Sequence, residues 1–370
     1  MIIGVDAGCL GIKDKRLRVG VYQVARNLLQ QLAQIDKHNR YNLYSFYPIE
    51  KKLLKDFGPR AKNIIVRPSR GWLKLWLPLQ LIKDKPDVFL ALGQSLPLQF
   101  PFQKSYIIGF VYDLAFEKYP DLYPDSFERL QRNTRYLTSN ADHVIAISEA
   151  TKRDLVKLHA IVPEKITVAY PAFIERRKKR RKLLSREPYF LFVGSLKKSK
   201  NIPAIIRGFS HFIEKTKAGY MLYIVGGDKW FDEDISAALL SASEHTRKKI
   251  KLLGHAKKEI VESLYRGATA FVSPSFYEGF GLTFLEAMSF GCPVIGSKRG
   301  SIPEIVGDAG ILVKADAYKA IGDAMIKISN NKELRNMYVQ KGLQRSKEML
   351  KENFGEKVYQ VIKAYEKQTN

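Results

Sequence analysis

The sequence predicts an α/β protein made of two doubly wound parallel sheets in tandem. Three observations carry this. Short apolar runs alternate with amphipathic stretches along nearly the whole chain, as strands covered on both faces by helices require. A dense basic run interrupts the alternation at residues 174–187, and the alternation then restarts. The 370 residues also exceed the roughly 250–300 that one core usually holds.

In order, Ile2–Ala7 reads as a strand and Val19–Ile35 as a helical pattern. Tyr41–Tyr47, Asn63–Arg67, Asp87–Leu92 and Ser105–Asp113 read as further strands. Pro124–Ser139 reads as helix, Asp142–Ser148 as strand, Glu149–His159 as helix and Lys165–Tyr170 as strand. Residues 174–187 hold eight basic residues and read as a solvated linker. Beyond it, Tyr189–Gly194, Tyr220–Gly226, Lys249–Leu253, Ala270–Pro274, Pro293–Ser297 and Gly310–Val313 read as strands with helices between them. The tail from Asp316 to about Lys367 reads as helical, with a kink near Asn353–Gly355. The expected domains are 1–173, with a C-terminal helix at about 352–370 packing back on it, and 188–351. Ligands of such sheets bind beyond the carboxyl ends of the strands, which predicts a site in a cleft between the two domains.

Lysine and arginine total 62 against 37 aspartate and glutamate, a net charge of +25. That excess favours polyanionic partners: nucleic acid, anionic lipid or phosphorylated substrates. No zinc-finger spacing or RNP-like aromatic motif is visible, so a nucleic-acid partner is disfavoured. Two cysteines, Cys9 and Cys292, exclude a disulfide framework and suit a reducing compartment. The N-terminus reads as a first strand rather than a signal peptide. No stretch reaches the roughly 18 apolar residues of a membrane-spanning helix; residues 71–82 come closest, interrupted by Lys74 and Pro78. The expectation is a cytoplasmic protein, peripheral at the inner face of a membrane if the basic run Arg176–Lys182 binds anionic lipid.

The most informative segment is Ser273–Met288. A strand ends at Pro274, a loop carries Gly279 and Gly281, and a helix begins near Leu282. Unpaired amides and the dipole at such a helix start suit a diphosphate, and glycines let the backbone approach it. Glu278 and Glu286, eight residues apart, add carboxylates that accept hydrogen bonds from sugar hydroxyls. A helix cap with two solvated acids is the competing reading.

The stretch PSFYEGFGLTFLEAMSFGCPVIGS closely resembles the signature of glycosyltransferase family 4, the large group of retaining transferases with the GT-B fold. Segments on either side extend the likeness, from Gly254-His255-Ala256 to Gly267-Ala268 and from Gly300 to Val306. IGVDAG, ADHVIAISEATKRDL and YFLFVGSLKKSKN resemble further family strands and loops, so the likeness spans nearly the whole chain. Two Rossmann-like domains facing across a cleft are implied, with transfer of a hexose from a nucleotide-diphosphate sugar (GDP-mannose or a UDP-sugar) to a glycan or lipid-linked acceptor. Retention at the anomeric carbon is implied, with no metal and no cofactor other than the donor substrate.

The resemblance places Glu286 on the donor ribose and Glu278 against the donor hexose. It places Phe280, Gly281 and Leu282, with Thr283 beside them, at hexose and phosphate. Gly194, Ser195, Ser199 and Lys200 fall in the phosphate loop, where Lys200 would neutralise the leaving diphosphate. The usual arginine before it is Ser199 here; Lys197 and Lys198 either supply that charge or are plain surface lysines. Gly226-Gly227 is either a structural turn or part of the donor site, and the backbone of His255 and Ala256 would meet the base. On the sugar and acceptor side stand Gly20, Tyr112 and Asp113, with Tyr112 where the family usually has histidine. Ser301 and Glu304 form a capping-box pattern. Asp232-Glu233-Asp234 reads as a helix start rather than a metal cluster.

Tyr112 and Ser199 keep a second reading in view, a non-catalytic sugar-nucleotide-binding relative. A basic membrane- or nucleic-acid-binding protein is the third. Trp72–Leu81, with Trp72 and Trp76 four apart, reads as a packed helix or as an acceptor- or membrane-facing one.

Overall fold

The computed structural model describes residues 1–12, 20–98, 105–171, 185, 187–227, 233–350 and 352–369. Of the predicted linker, only Ser185 and Glu187 are among them, so the basic run 176–182 lies outside, as do Arg18, Val19 and Trp230–Asp232. The chain forms two compact units, Met1–Ala172 with Glu352–Asn370, and Phe173–Lys351.

The first unit holds β1 (Ile2–Asp6), β2 (Arg40–Ser45), β3 (Ala61–Ile65), β4 (Val88–Ala91), β5 (Tyr106–Val111), β6 (His143–Ala146) and β7 (Ile166–Val168). They form one parallel sheet in the order β3-β2-β1-β4-β5-β6-β7. The second unit holds β8 (Tyr189–Val193), β9 (Met221–Val225), β10 (Ile250–Gly254), β11 (Ala270–Ser273), β12 (Val294–Ser297) and β13 (Gly310–Val313). These are also all parallel, in the order β10-β9-β8-β11-β12-β13. Central strands such as β4 and β11 are buried along their whole length, which is why they read as unbroken apolar runs. Each order reverses once, between β1 and β4 and between β8 and β11. Strand ends at such a reversal are where open α/β sheets bind ligands.

In the second unit, helix Ile202–Thr216 lies against helix Tyr318–Asn330. A Cβ on Gly322 would sit 2.6 Å from the Gly208 carbonyl, and one on Gly208 would sit 2.9 Å from the Ile321 side chain. Two glycines inside helices thus serve close backbone contact, which offsets their usual helix cost.

Two expectations need correction. The helical tail is three helices, Tyr318–Asn330, Lys332–Leu350 and Phe354–Thr369. The Asn331 side chain accepts from the Leu334 amide and the Asn353 side chain from the Glu356 amide, so each asparagine starts a new helix rather than bending an old one. The last helix belongs to the first unit: Tyr365 stacks on Tyr106 at 4.5 Å, and the Gly355 amide donates to Gln31. Residues 72–84 are likewise not one regular helix. A π-helical turn, Trp72–Trp76, precedes α-helix Leu77–Asp84. Pro78 lacks an amide and crowds the turn before it, which favours the wider turn there. Trp72 is buried and meets Phe46 edge to face at 5.5 Å. Cys9 is half-buried and Cys292 buried, and both are free thiols.

Candidate active site at the reversal point of the second sheet

The site grows from the loops that leave β8 and β11. After β8 the Gly194 amide donates to Val225 O. A Cβ at Gly226 would stand 2.1 Å from the Gly194 carbonyl oxygen, so only glycine admits this approach. A short 3-10 turn, Lys198–Lys200, follows and ends at Asn201 in the left-handed conformation, φ 56°. The Asn201 side-chain Nδ2 donates to Pro274 O at 3.3 Å and Ala315 O at 2.6 Å. The Phe276 amide donates to Ser199 O at 2.9 Å. The loop after β8 is thereby bonded to the loop after β11.

This stitching brings the two residues expected to be catalytic together. Lys200 Nζ lies 2.6 Å from both carboxylate oxygens of Glu278. Their side chains are 22% and 11% exposed. The Ser275 hydroxyl also donates to Glu278 Oε1 at 2.8 Å. A half-buried ammonium is held at the ends of the two central strands, with its charge compensated by one acid.

The glycine loop is clamped from beyond β12. Ser301 Oγ donates to Glu278 O at 3.0 Å and to Phe280 O at 2.7 Å, and its amide also donates to Glu278 O. Ser301 therefore does not form the expected capping box: its side chain makes no cap bond to its own helix, because its hydroxyl is committed to two carbonyls across the loop. Gly300 has φ 57°, and a Cβ there would stand 2.6 Å from Glu278 O. Ser297 Oγ donates to Ser275 O at 2.6 Å. Ser275, Ser297 and Ser301 are fully buried.

Gly281, at φ 97°, opens helix Leu282–Ser289 with no side-chain cap. The first amides of an α-helix have no intrahelical acceptor. The Leu282 and Thr283 amides are among these, an arrangement that in general suits an anion. Phe280 is buried, Leu282 and Thr283 are half-buried, and so is Glu286 one turn into the helix.

The remaining candidates are more dispersed. Ser199 is buried and contributes its carbonyl. Ser195 and Gly227 are half-buried. Lys198 pairs with Asp234 at 3.6 Å on the exposed surface, and Glu233 opens helix Glu233–Ser241. His255 is exposed and Ala256 half-buried after β10, the edge strand.

Gly20, Tyr112 and Asp113 belong to the first unit. Gly20 is exposed, at φ 54°, before helix Val21–Ile35. Asp113 Oδ1 accepts from the Ala115 amide. Tyr112, expected on the sugar and acceptor side, is held by its own unit. Its side chain is buried, and its hydroxyl donates to Leu92 O at 2.7 Å. Burial pushes its pKa well up.

Two groups at the first reversal point carry no sequence-based assignment. Asp6 ends β1 and is 5% exposed. Burial pushes its pKa up to about 6, against hydrogen bonds from the Gly8 amide and Trp72. Gln94, left-handed at φ 51°, accepts from the Tyr112 amide and donates to Asp113 O and Thr134 Oγ1. An acid closing an apolar strand and a glutamine after Gly93 were the available signals.

Two all-parallel doubly wound sheets, with a glycine loop and helix start at the reversal point of the second, define the GT-B class of glycosyltransferase fold. Known proteins agree. Residues 174–345 match the model of the family described as glycosyl transferases group 1. The O-antigen chain mannosyltransferase B of Escherichia coli is 28% identical over 266 residues, 69% of this chain and 68% of that protein. Spinach sucrose-phosphate synthase also matches, but over only 16% of its own length. Among solved structures, WaaG, a glycosyltransferase involved in lipopolysaccharide biosynthesis, superposes with a TM-score of 0.73 at 14% identity, covering 98% of this chain and 99% of its own. Anabaena Alr3699/HepE in complex with UDP and glucose does so at 0.71 and 15%, with the same coverage. Over residues 174–345, just under half of its length, the chain is similar to the group 1 glycosyl transferases.

Proposed function

We propose that the protein moves a hexose from a nucleotide-diphosphate sugar to a glycan or lipid-linked acceptor, with retention at the anomeric carbon and without a metal. The observation that carries this reading is the Lys200–Glu278 pair, 2.6 Å apart, beside the uncapped start of helix Leu282–Ser289. A diphosphate at that helix start accepts from its amides and competes with Glu278 for the Lys200 ammonium. As the bond to the sugar breaks, negative charge develops on the diphosphate. Lys200 and the fixed amides then stabilise charge where it forms. Glu278, released from the lysine, is free to accept from hexose hydroxyls, and Glu286 from the ribose. The E. coli relative's name points to mannose, which favours GDP-mannose as donor, while the complex of Alr3699/HepE makes UDP-sugars the second choice.

Calorimetry with GDP-mannose and UDP-glucose, beside a transfer assay in EDTA, tests the reading. One donor binds wild type, Glu286→Ala abolishes that binding, and transfer persists in EDTA with retained configuration. Near-native affinity in Glu286→Ala removes that residue from the ribose. Strict dependence on a divalent ion overturns the metal-free reading.

A further inference from the structure

The segment around the π-helical turn in the first unit carries a surface that glycosyl transfer does not use. Leu75 and Leu79 are 44% and 46% exposed. They stand four residues apart across the junction of the π turn and helix Leu77–Asp84, and Lys83, four further on, continues the row. The face below them is firmly anchored. Trp72, Leu77 and Leu81 are buried in the core of the first unit, with Leu73 and Trp76 packed against it. The Trp76 indole donates to Arg70 O. Leu75 and Leu79 therefore stand on a rigid base and face outward.

Charge identifies what they face. From Lys62 to Lys85 the sequence holds six basic residues, Lys62, Arg67, Arg70, Lys74, Lys83 and Lys85, and one acid, Asp84. All six basic residues are exposed. The acid is turned inward: Asp84 is half-buried and one of its oxygens is inaccessible. None of the six cations pairs with an acid among the described residues. Two outward leucines amid unpaired cations match an anionic bilayer, where apolar side chains enter the headgroup boundary and cations meet phosphates. An acidic protein would use the cations but leave the leucines in water. A purely apolar partner would leave six charges unpaired.

We infer that Leu75 and Leu79, with Arg70, Lys74 and Lys83, dock the protein on an anionic lipid bilayer. The inference deepens the lipid-linked acceptor reading and rests on it for its purpose, although docking needs no donor chemistry. It does not draw on the basic run 176–182, whose sequence offers charge without apolar side chains.

Co-sedimentation of the full chain with phosphatidylcholine vesicles, with and without phosphatidylglycerol, tests it. Wild type should bind only the anionic vesicles. Leu75→Ser with Leu79→Ser should lose most of that binding at low salt. Arg70→Gln, Lys74→Gln and Lys83→Gln should each weaken it by about fivefold, as for one cation near such a surface. Making residues 176–182 neutral should leave the leucine dependence intact. Wild-type binding by the double leucine variant overturns the inference, as does equal binding to neutral vesicles or none to either. Donor turnover without vesicles, measured in parallel, should be unchanged in all these variants. Its absence in every protein, with vesicle binding kept, would remove the transferase reading and leave the docking surface standing.

Discussion

At the reversal point of the second sheet a cation and an acid face each other, whereas at that of the first an acid is held by a backbone amide and an indole. Lys200 and Glu278 form an ion pair at 2.6 Å, partly open to solvent. Asp6 is 5% exposed and its pKa is pushed up to about 6. The frames around them are alike. Each is tied by a left-handed amide residue, Asn201 in one and Gln94 in the other, whose side chain bonds backbone from a neighbouring loop. A left-handed conformation costs a non-glycine residue about 1–2 kcal/mol, and those amide bonds offset it. One architecture thus presents a half-buried cation at one site and, at the other, buries an acid whose ionisation is held back. The difference lies in exposure and partners rather than in fold.

Removing the cation should break the comparison most sharply. Lys200→Ala should lower turnover by about 10²–10³-fold, the usual loss for one preorganised electrostatic contact, while donor affinity falls less. Steady-state kinetics on the preferred donor check this. An unchanged kcat would show that the pair is only structural.

The buried acid should reveal itself through pH. Asp6 has a folded pKa of about 6 against an ordinary 3.8, so folding favours its neutral form. Its contribution to stability is therefore complete below about pH 4 and is lost as pH rises through about 6, by up to roughly 3 kcal/mol at 1.36 kcal/mol per unit. Asp6→Asn cannot titrate. Its stability relative to wild type should rise by up to that amount between about pH 4 and pH 7, read from denaturant midpoints. A pH-independent difference would mean that Asp6 is not buried as described.

The two amide clamps supply the smallest and finest contrast. Asn201→Ala leaves Pro274 O and Ala315 O without their donor, at about 1–3 kcal/mol, and frees the turn that aims Lys200. Gln94→Ala should cost similar stability. Thermal melts should therefore drop for both, but only Asn201→Ala should lower donor affinity by calorimetry. Equal donor affinity in the two variants would uncouple the Asn201 clamp from the site.

Much of the molecule was legible in the sequence. Strands such as Tyr189–Val193 and Ala270–Ser273 are buried on both faces, so their apolar runs stand out within a chain that is otherwise polar at its turns. Glu278, Gly281 and Glu286 were readable because a strand end, a glycine loop and a helix start follow one another within one short segment. Ser301 misled: its spacing to Glu304 is that of a capping box, and only the fold shows that its hydroxyl bonds Glu278 O and Phe280 O.

The sequence by itself determined the class of fold and the local character of the glycine loop, because these depend on periodicity and on residues near one another in the chain. Tertiary structure alone decided the pairing of Lys200 with Glu278 across 78 residues and the tie from Asn201 to Ala315 across 114. It also decided the burial of Asp6 and the commitment of the Tyr112 hydroxyl to Leu92. Contacts of that kind are set by which strands become neighbours in a sheet. Strand order is a property of the whole packed chain, and no local pattern encodes it.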